Sequence, residues 1–222
     1  MKATGICLFL FMFLSCMNVL AQQEDTSSRK VLFQVRGGIN ISNVRATHDN
    51  VTFEGNEKVG FNIGAIADIP LGKDFYLHPG LLFTTKGVKV DDILVEDTYY
   101  KADMNAMYIQ IPLHVGYKMQ LERWDNRFGM SLGPYLAYGI GGKTDYTTKR
   151  GKASIGIDTF GSDYMWNRFD VGIGFEIYFE LKRLVFTTGA EAGFTRTWKK
   201  EYLTDNINPR NSNYYICVGY KF

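Results

Sequence analysis

Downstream of residue 30 the chain alternates apolar and polar side chains in eight runs, and a period of two is the mark of a β-strand with one apolar face. The runs place strands at 31–43, 59–69, 75–88, 108–119, 128–140, 168–179, 184–195 and 214–222. The sixth is the clearest. Phe169, Val171, Ile173, Phe175, Ile177 and Phe179 fall on one face, and Arg168, Asp170, Gly172, Gly174, Glu176 and Tyr178 on the other. The eighth sets Tyr214, Ile216, Val218, Tyr220 and Phe222 against Tyr215, Cys217, Gly219 and Lys221, so its apolar face ends on an aromatic. The third, 75–88, alternates less cleanly. No helical period stands out.

The connections alternate in length. Those after the second, fourth and sixth strands are short, whereas those at 45–58, 89–106, 142–167 and 197–212 are long and polar. Short turns on one side, long loops on the other and strands of about ten alternating residues describe an outer-membrane barrel. The fold expected is therefore all-β: an eight-stranded, antiparallel, up-and-down transmembrane β-barrel with short periplasmic turns and four longer external loops. Aromatics near strand ends (Phe75, Tyr76, Tyr108, Tyr138, Trp166, Trp198, Tyr214 and Phe222) suit interfacial girdles. Pro79, Pro112 and Pro134 conflict with this pattern, because a strand paired on both sides wants every N–H, and β-bulges are expected there.

The N-terminus changes the picture. Lys2, the apolar stretch 6–14 and Val19-Leu20-Ala21 read as a signal peptide over residues 1–21, removed before Gln22. A lipoprotein acylated at Cys16 is the alternative. Residues 22–30 read as a polar, flexible periplasmic lead-in, and 31–222 as the barrel domain. Loss of the signal leaves Cys217 as the sole cysteine, so no internal disulfide contributes and stability must come from a closed hydrogen-bonded wall. A net charge of +2 gives no broad basic surface for nucleic acid. No apolar run after the signal reaches helix-spanning length, so strands must do the spanning.

Candidate chemistry is sparse. Ala137-Tyr138-Gly139-Ile140-Gly141-Gly142-Lys143-Thr144 matches a relaxed phosphate-loop pattern, but a β-branched and aromatic stretch follows where that mechanism needs a helix, so it reads as a strand end. His48, His78 and His114 lack metal-ligand spacing. His114, Ser131 and Asp170 are the residue types of a hydrolytic triad, although lumen filling explains them better. Asp91-Asp92 with Glu96-Asp97 lacks a calcium-loop pattern, and Lys149-Arg150-Gly151-Lys152 reads as a charged exposed loop. Arg36, Asp68, Lys118, Asp170, Glu176 and Glu191 all fall on polar faces. Inside so narrow a barrel they are expected to pair as a structural network that plugs the lumen. No catalytic, cofactor or metal site is assigned.

Six motifs, in order, resemble the PorT-like family of Bacteroidetes outer-membrane β-barrels: Gly37-Gly38-Ile39-Asn40-Ile41-Ser42, Leu77-His78-Pro79-Gly80-Leu81-Leu82-Phe83, Ile109-Gln110-Ile111-Pro112-Leu113, Gly133-Pro134-Tyr135, Phe169-Asp170-Val171-Gly172-Ile173-Gly174 and Val218-Gly219-Tyr220-Lys221-Phe222. The resemblance covers essentially the whole chain after the signal and includes the three prolines. It implies residence in the outer membrane, contact with outer-membrane lipid, and insertion by the barrel assembly machinery through a signal containing Tyr220 and Phe222. The family's namesake takes part in protein secretion, so secretion components or other envelope proteins are the partners it implies. The expected function is non-enzymatic, structural or by docking. The alternatives are a lipid-modifying outer-membrane enzyme, with His48 at the loop rim, and a soluble lipocalin-like exported carrier.

Overall fold

The computed structural model describes residues 30–48, 51–95, 98–121, 126–148, 151–161, 166–198 and 208–222. Eleven strands follow one another: β1 (Leu32–His48), β2 (Val51–Glu54), β3 (Lys58–Pro70), β4 (Phe75–Val95), β5 (Thr98–Leu121), β6 (Asn126–Gly141), β7 (Lys143–Thr148), β8 (Gly151–Asp158), β9 (Phe169–Leu181), β10 (Leu184–Gly193) and β11 (Arg210–Lys221). Eight of them form the wall. Around the ring β1 pairs with β3, then β4, β5, β6, β9, β10 and β11, which returns to β1, every pair antiparallel. The closing seam runs in unbroken register from Gln34↔Lys221 to Arg45↔Arg210, and Phe222 N–H donates to Phe33 O at 2.8 Å. Closure pairs both sides of every stave, which is what backbone polar groups require in hydrocarbon.

Burial is inverted relative to a soluble protein. Phe33, Ile39 and Val59 are 59%, 61% and 70% exposed on the outside, while Arg36, Lys86 and Asp170 are at most 4% exposed within. Apolar side chains on an outer wall are at home only against lipid. Of the aromatics read as girdle residues, Phe75, Tyr138, Tyr214 and Phe222 do face outward. Tyr108 and Trp166 instead point inward and are buried, and Tyr76 turns its ring toward Lys118 in the lumen.

At one end the turns are short. Leu71 N–H closes onto Phe75 O at 2.8 Å between β3 and β4, and Lys182-Arg183 alone links β9 to β10, with Lys182 at φ 53°. At the other end the structure corrects the expectation of long polar loops. Much of 45–58, 89–106 and 142–167 is strand: β2 folds back on β1, the β4–β5 ladder continues to Val95↔Thr98, and the β7–β8 hairpin adds to the upper part of β5. The expected signal peptide 1–21 and the lead-in 22–30, apart from Lys30, lie outside the described residues.

The prolines are a second correction. Register is constant at all three, and the bulges lie elsewhere, near Val90, Met107 and Thr147. What the prolines mark is missing rungs. The β3–β4 pairing skips from Ile66↔Gly80 to Ile69↔Leu77 beside Pro79. The β4–β5 pairing skips from Pro79↔Leu113 to Leu82↔Gln110 beside Pro112, and β5–β6 from Pro112↔Tyr135 to Val115↔Leu132 beside Pro134. A residue without an N–H leaves a gap in the ladder, and here the gap is kept without inserting an extra residue.

Candidate functional site

Among the described residues, the inward face of the wall carries the main concentration of buried ionisable groups, and strand alternation decides which residues reach it. They form three tiers. Nearest the short turns, Lys118 and Lys221 each contact both Asp68 and Glu180, with Lys118–Glu180 at 2.9 Å and Lys221–Asp68 at 2.7 Å. This ring of alternating charge joins β3, β5, β9 and β11. His78 Nε2 lies 2.9 Å from Asp68 Oδ1, and the Lys118 ammonium sits 4.2 Å from the centre of the Tyr76 ring.

In the middle tier Arg36 Nη1 meets Glu176 Oε1 at 2.7 Å, and Tyr215 OH donates to the same oxygen at 2.7 Å. Ser131 Oγ donates to Glu176 Oε2 at 3.3 Å, while His114 Nδ1 stands 3.8 Å from it. The upper tier centres on Lys86, 3.0 Å from Glu191 Oε2 and 3.5 Å from Asp170 Oδ2, with its ammonium 4.4 Å from the centre of the Tyr135 ring. Asp170 also accepts from Tyr135 OH, Asn211 Nδ2 and Thr195 Oγ1 at 3.3, 3.0 and 3.1 Å. Gln110 and Asn213 complete the shell of Glu191 at 2.6 and 3.2 Å. Pairing of this kind is what makes burial of charge tolerable, since an isolated ion in low dielectric would be strongly penalised.

Above the charges the lumen turns apolar. Val88, Ala106, Tyr108 and Ala137 are fully buried, and Phe160 and Trp166 from the segment between β8 and β9 lie against them. Trp166 Nε1 donates to Tyr108 OH at 2.6 Å, and the Phe160 ring meets Tyr108 edge-on at 5.6 Å. Arg168 covers Phe160 at 5.2 Å and donates to Gly139 O and Phe160 O at 2.9 and 3.0 Å. Gly139 is required here: a Cβ on it would stand 2.2 Å from the Phe160 ring. Two small cavities, of about 20 and 10 Å³, interrupt the packing at and below the middle tier.

All six lumen residues singled out from the sequence (Arg36, Asp68, Lys118, Asp170, Glu176 and Glu191) are buried on the inward face, but they do not form one contiguous group. Sequence reasoning left out Lys86, Glu180, Lys221 and His78. Glu180 and Lys221 continue the polar phase of their strands and were legible on that ground. Lys86 is masked by Leu82, an inward apolar residue that breaks the phase of β4. The triad types do not assemble: His114 and Ser131 both address Glu176, and Asp170 belongs to the tier above. The phosphate-loop pattern lies where β6 gives way to β7, with no helix after Thr144. Asp91 pairs with Lys101 at 3.0 Å, whereas Glu96, Asp97, Lys149 and Arg150 are outside the described residues. Among the described residues no three His, Cys, Asp or Glu side chains converge to hold a metal ion. Tyr220 and Phe222 stack edge-on at 5.2 Å on the outer wall.

A closed antiparallel wall, apolar outside and ionic inside, defines a transmembrane β-barrel. The family model for the outer membrane protein beta-barrel domain matches residues 20–198, and the chain belongs to that family. It is a small, eight-stranded outer-membrane barrel protein. Solved structures it resembles include Neisserial surface protein A (12% identity, 86% of this chain and 97% of that one, TM-score 0.42). OprG of Pseudomonas aeruginosa is similar at 11% identity over 86% and 95% of the two chains, TM-score 0.40. Ail of Yersinia pestis, solved with the heparin analogue sucrose octasulfate, is similar at 13% identity over 86% and 99%, TM-score 0.37. No curated protein matches the sequence. The fold assignment stands on the strand pairings themselves.

Proposed function

We propose that the protein is a non-enzymatic outer-membrane barrel with a plugged lumen, acting as a structural element or by docking envelope partners at its ends. The observation that carries this reading is the stack of three ion-paired tiers beneath an apolar cap, among which the cavities are small: about 20 and 10 Å³ among the charges and about 40 Å³ beside Trp166 at the cap. Solute passage would require several buried pairs to separate at once, and each is held by partners on different staves. The planar-bilayer conductance of purified protein tests it: a silent membrane is expected, and reproducible unitary currents overturn the plug.

The finer assignment is PorT-like, with secretion or other envelope proteins as partners. It rests on the six ordered motifs, from Gly37-Gly38-Ile39-Asn40-Ile41-Ser42 to Val218-Gly219-Tyr220-Lys221-Phe222. In this reading residues 1–21 are the export signal, 22–30 a periplasmic lead-in, and the exposed Tyr220–Phe222 pair the element that the assembly machinery recognises. Extraction from outer membranes in mild detergent, followed by native mass and identification of co-purifying chains, tests this. Secretion components in a defined complex support it, and a lone barrel counts against it.

A further inference from the structure

We propose that the lumen contains an internal water site at the level of Arg36, adjoining a second cavity on its short-turn side. Of the buried polar atoms without partners, three belong to residues that line one cavity at this level: Arg36 Nε, Thr84 Oγ1 and Gln110 Oε1. Their residues are at most 4% exposed, on β1, β4 and β5, and all three line the same cavity of about 10 Å³. That volume is close to the roughly 10 Å³ a single water needs, and two to four polar partners are what such a water requires.

The chemistry selects the occupant. Arg36 Nε is a donor only. Gln110 donates its amide nitrogen to Glu191 at 2.6 Å, which leaves Oε1 as an acceptor, and the Thr84 hydroxyl serves either way. An anion here would face the Gln110 oxygen and the neighbouring Glu191 carboxylate, and a cation would face the Arg36 guanidinium. A neutral molecule that both gives and takes hydrogen bonds satisfies all three, and the space admits nothing larger than water. The other polar walls are already served: Asn62 Oδ1 accepts from Cys217 Sγ, and Glu191 Oε2 from Asn213.

A second cavity of about 20 Å³, lined by Gln34, Asp68, Lys118 and Lys221, shares Arg36 with the first and lies toward the short turns. In the other direction the Lys86, Glu191 and Asp170 tier intervenes, and past it come Val88, Ala106, Tyr108 and Ala137, all at 0% exposure. Apolar linings stay dry. The lumen is thus wet at Arg36 and dry in the layer that Val88, Ala106 and Ala137 line. This deepens the plugged-lumen reading, and the two fail separately, because conductance tests the plug and the following measurement tests the water.

The experiment is transfer of magnetisation from water to methyl groups in methyl-labelled, full-length protein folded in detergent micelles. Signals are expected at Leu82 and Thr84, which line the upper cavity, and at Val185 and Thr187, which line the lower one. None is expected at Val88, Ala106 or Ala137. In the Thr84→Val/Gln110→Leu double variant the Leu82 signal should disappear while those of Val185 and Thr187 persist. A wild-type protein without the Leu82 and Thr84 signals overturns the site. Equal signals at Ala106 and Ala137 overturn the dry apolar layer. A Leu82 signal that survives the double substitution overturns the assigned partners.

Discussion

The Lys221 ammonium, near the end of the last stave, lies 2.7 Å from the Asp68 carboxylate on the second, joining two strands between which β1 intervenes. The same ammonium contacts Glu180, so one side chain links three staves across the lumen. Lys221→Met would leave two carboxylates to share Lys118. Removing one partner from a buried ionic group costs about 3–5 kcal/mol, and a loss of that order is expected in urea unfolding followed by tryptophan fluorescence. Adding Glu180→Gln should recover part of it. A Lys221→Met protein as stable as the wild type would mean the ring contributes nothing.

The middle tier invites a double-mutant cycle. Arg36→Leu leaves Glu176 buried with only hydroxyl and imidazole neighbours, whereas Arg36→Leu/Glu176→Leu removes both charges. The double variant should be more stable than Arg36→Leu alone, because an apolar pair replaces an uncompensated ion. The reverse order, measured by the same unfolding curves, would refute the pairing as the main interaction of Glu176.

Phe160 is the stopper of the apolar cap. Phe160→Ala should cost about 3 kcal/mol from lost packing, and Gly139→Val should produce a similar loss by pushing the ring out of its seat. Thermal unfolding of both variants checks this. Additivity of the two losses would contradict a shared cause, since the effect of Gly139→Val runs through the ring that Phe160→Ala removes.

At the short-turn end, Lys182 holds a left-handed backbone at φ 53° that a side chain disfavours. Lys182→Gly should therefore stabilise the β9–β10 hairpin by about 1 kcal/mol, read as a rise in melting temperature. An unchanged or lower value would show that Lys182 gains more from contacts made by its side chain.

The wall was legible because the lipid-facing positions enforce a period of two: Phe169 to Phe179 on β9 and Tyr214 to Tyr220 on β11 could be read directly. Beyond the membrane this constraint disappears. Strand residues such as Asp91, Lys101 and Asp103 need not alternate with apolar ones, so the upper parts of β4 and β5 looked like loops. The lumen network was partly legible for the same reason. Asp170 and Glu176 stand out between apolar neighbours, but the inward Leu82 and the inward aromatics Tyr108 and Tyr135 do not. Which charge meets which was not legible at all. Lys86 and Asp170 are 84 residues apart, and only ring closure sets them face to face.

The three prolines leave a mechanical signature. Their missing rungs lie in three adjoining seams, from β3 across to β6, within two residues of one level of the wall. A hoop resists going out of round through its cross-ties, and here neighbouring ties are absent together while the opposite side, β1 with β11, is fully tied. Lateral pressure from the bilayer therefore falls on a cylinder with one side less firmly tied than the rest.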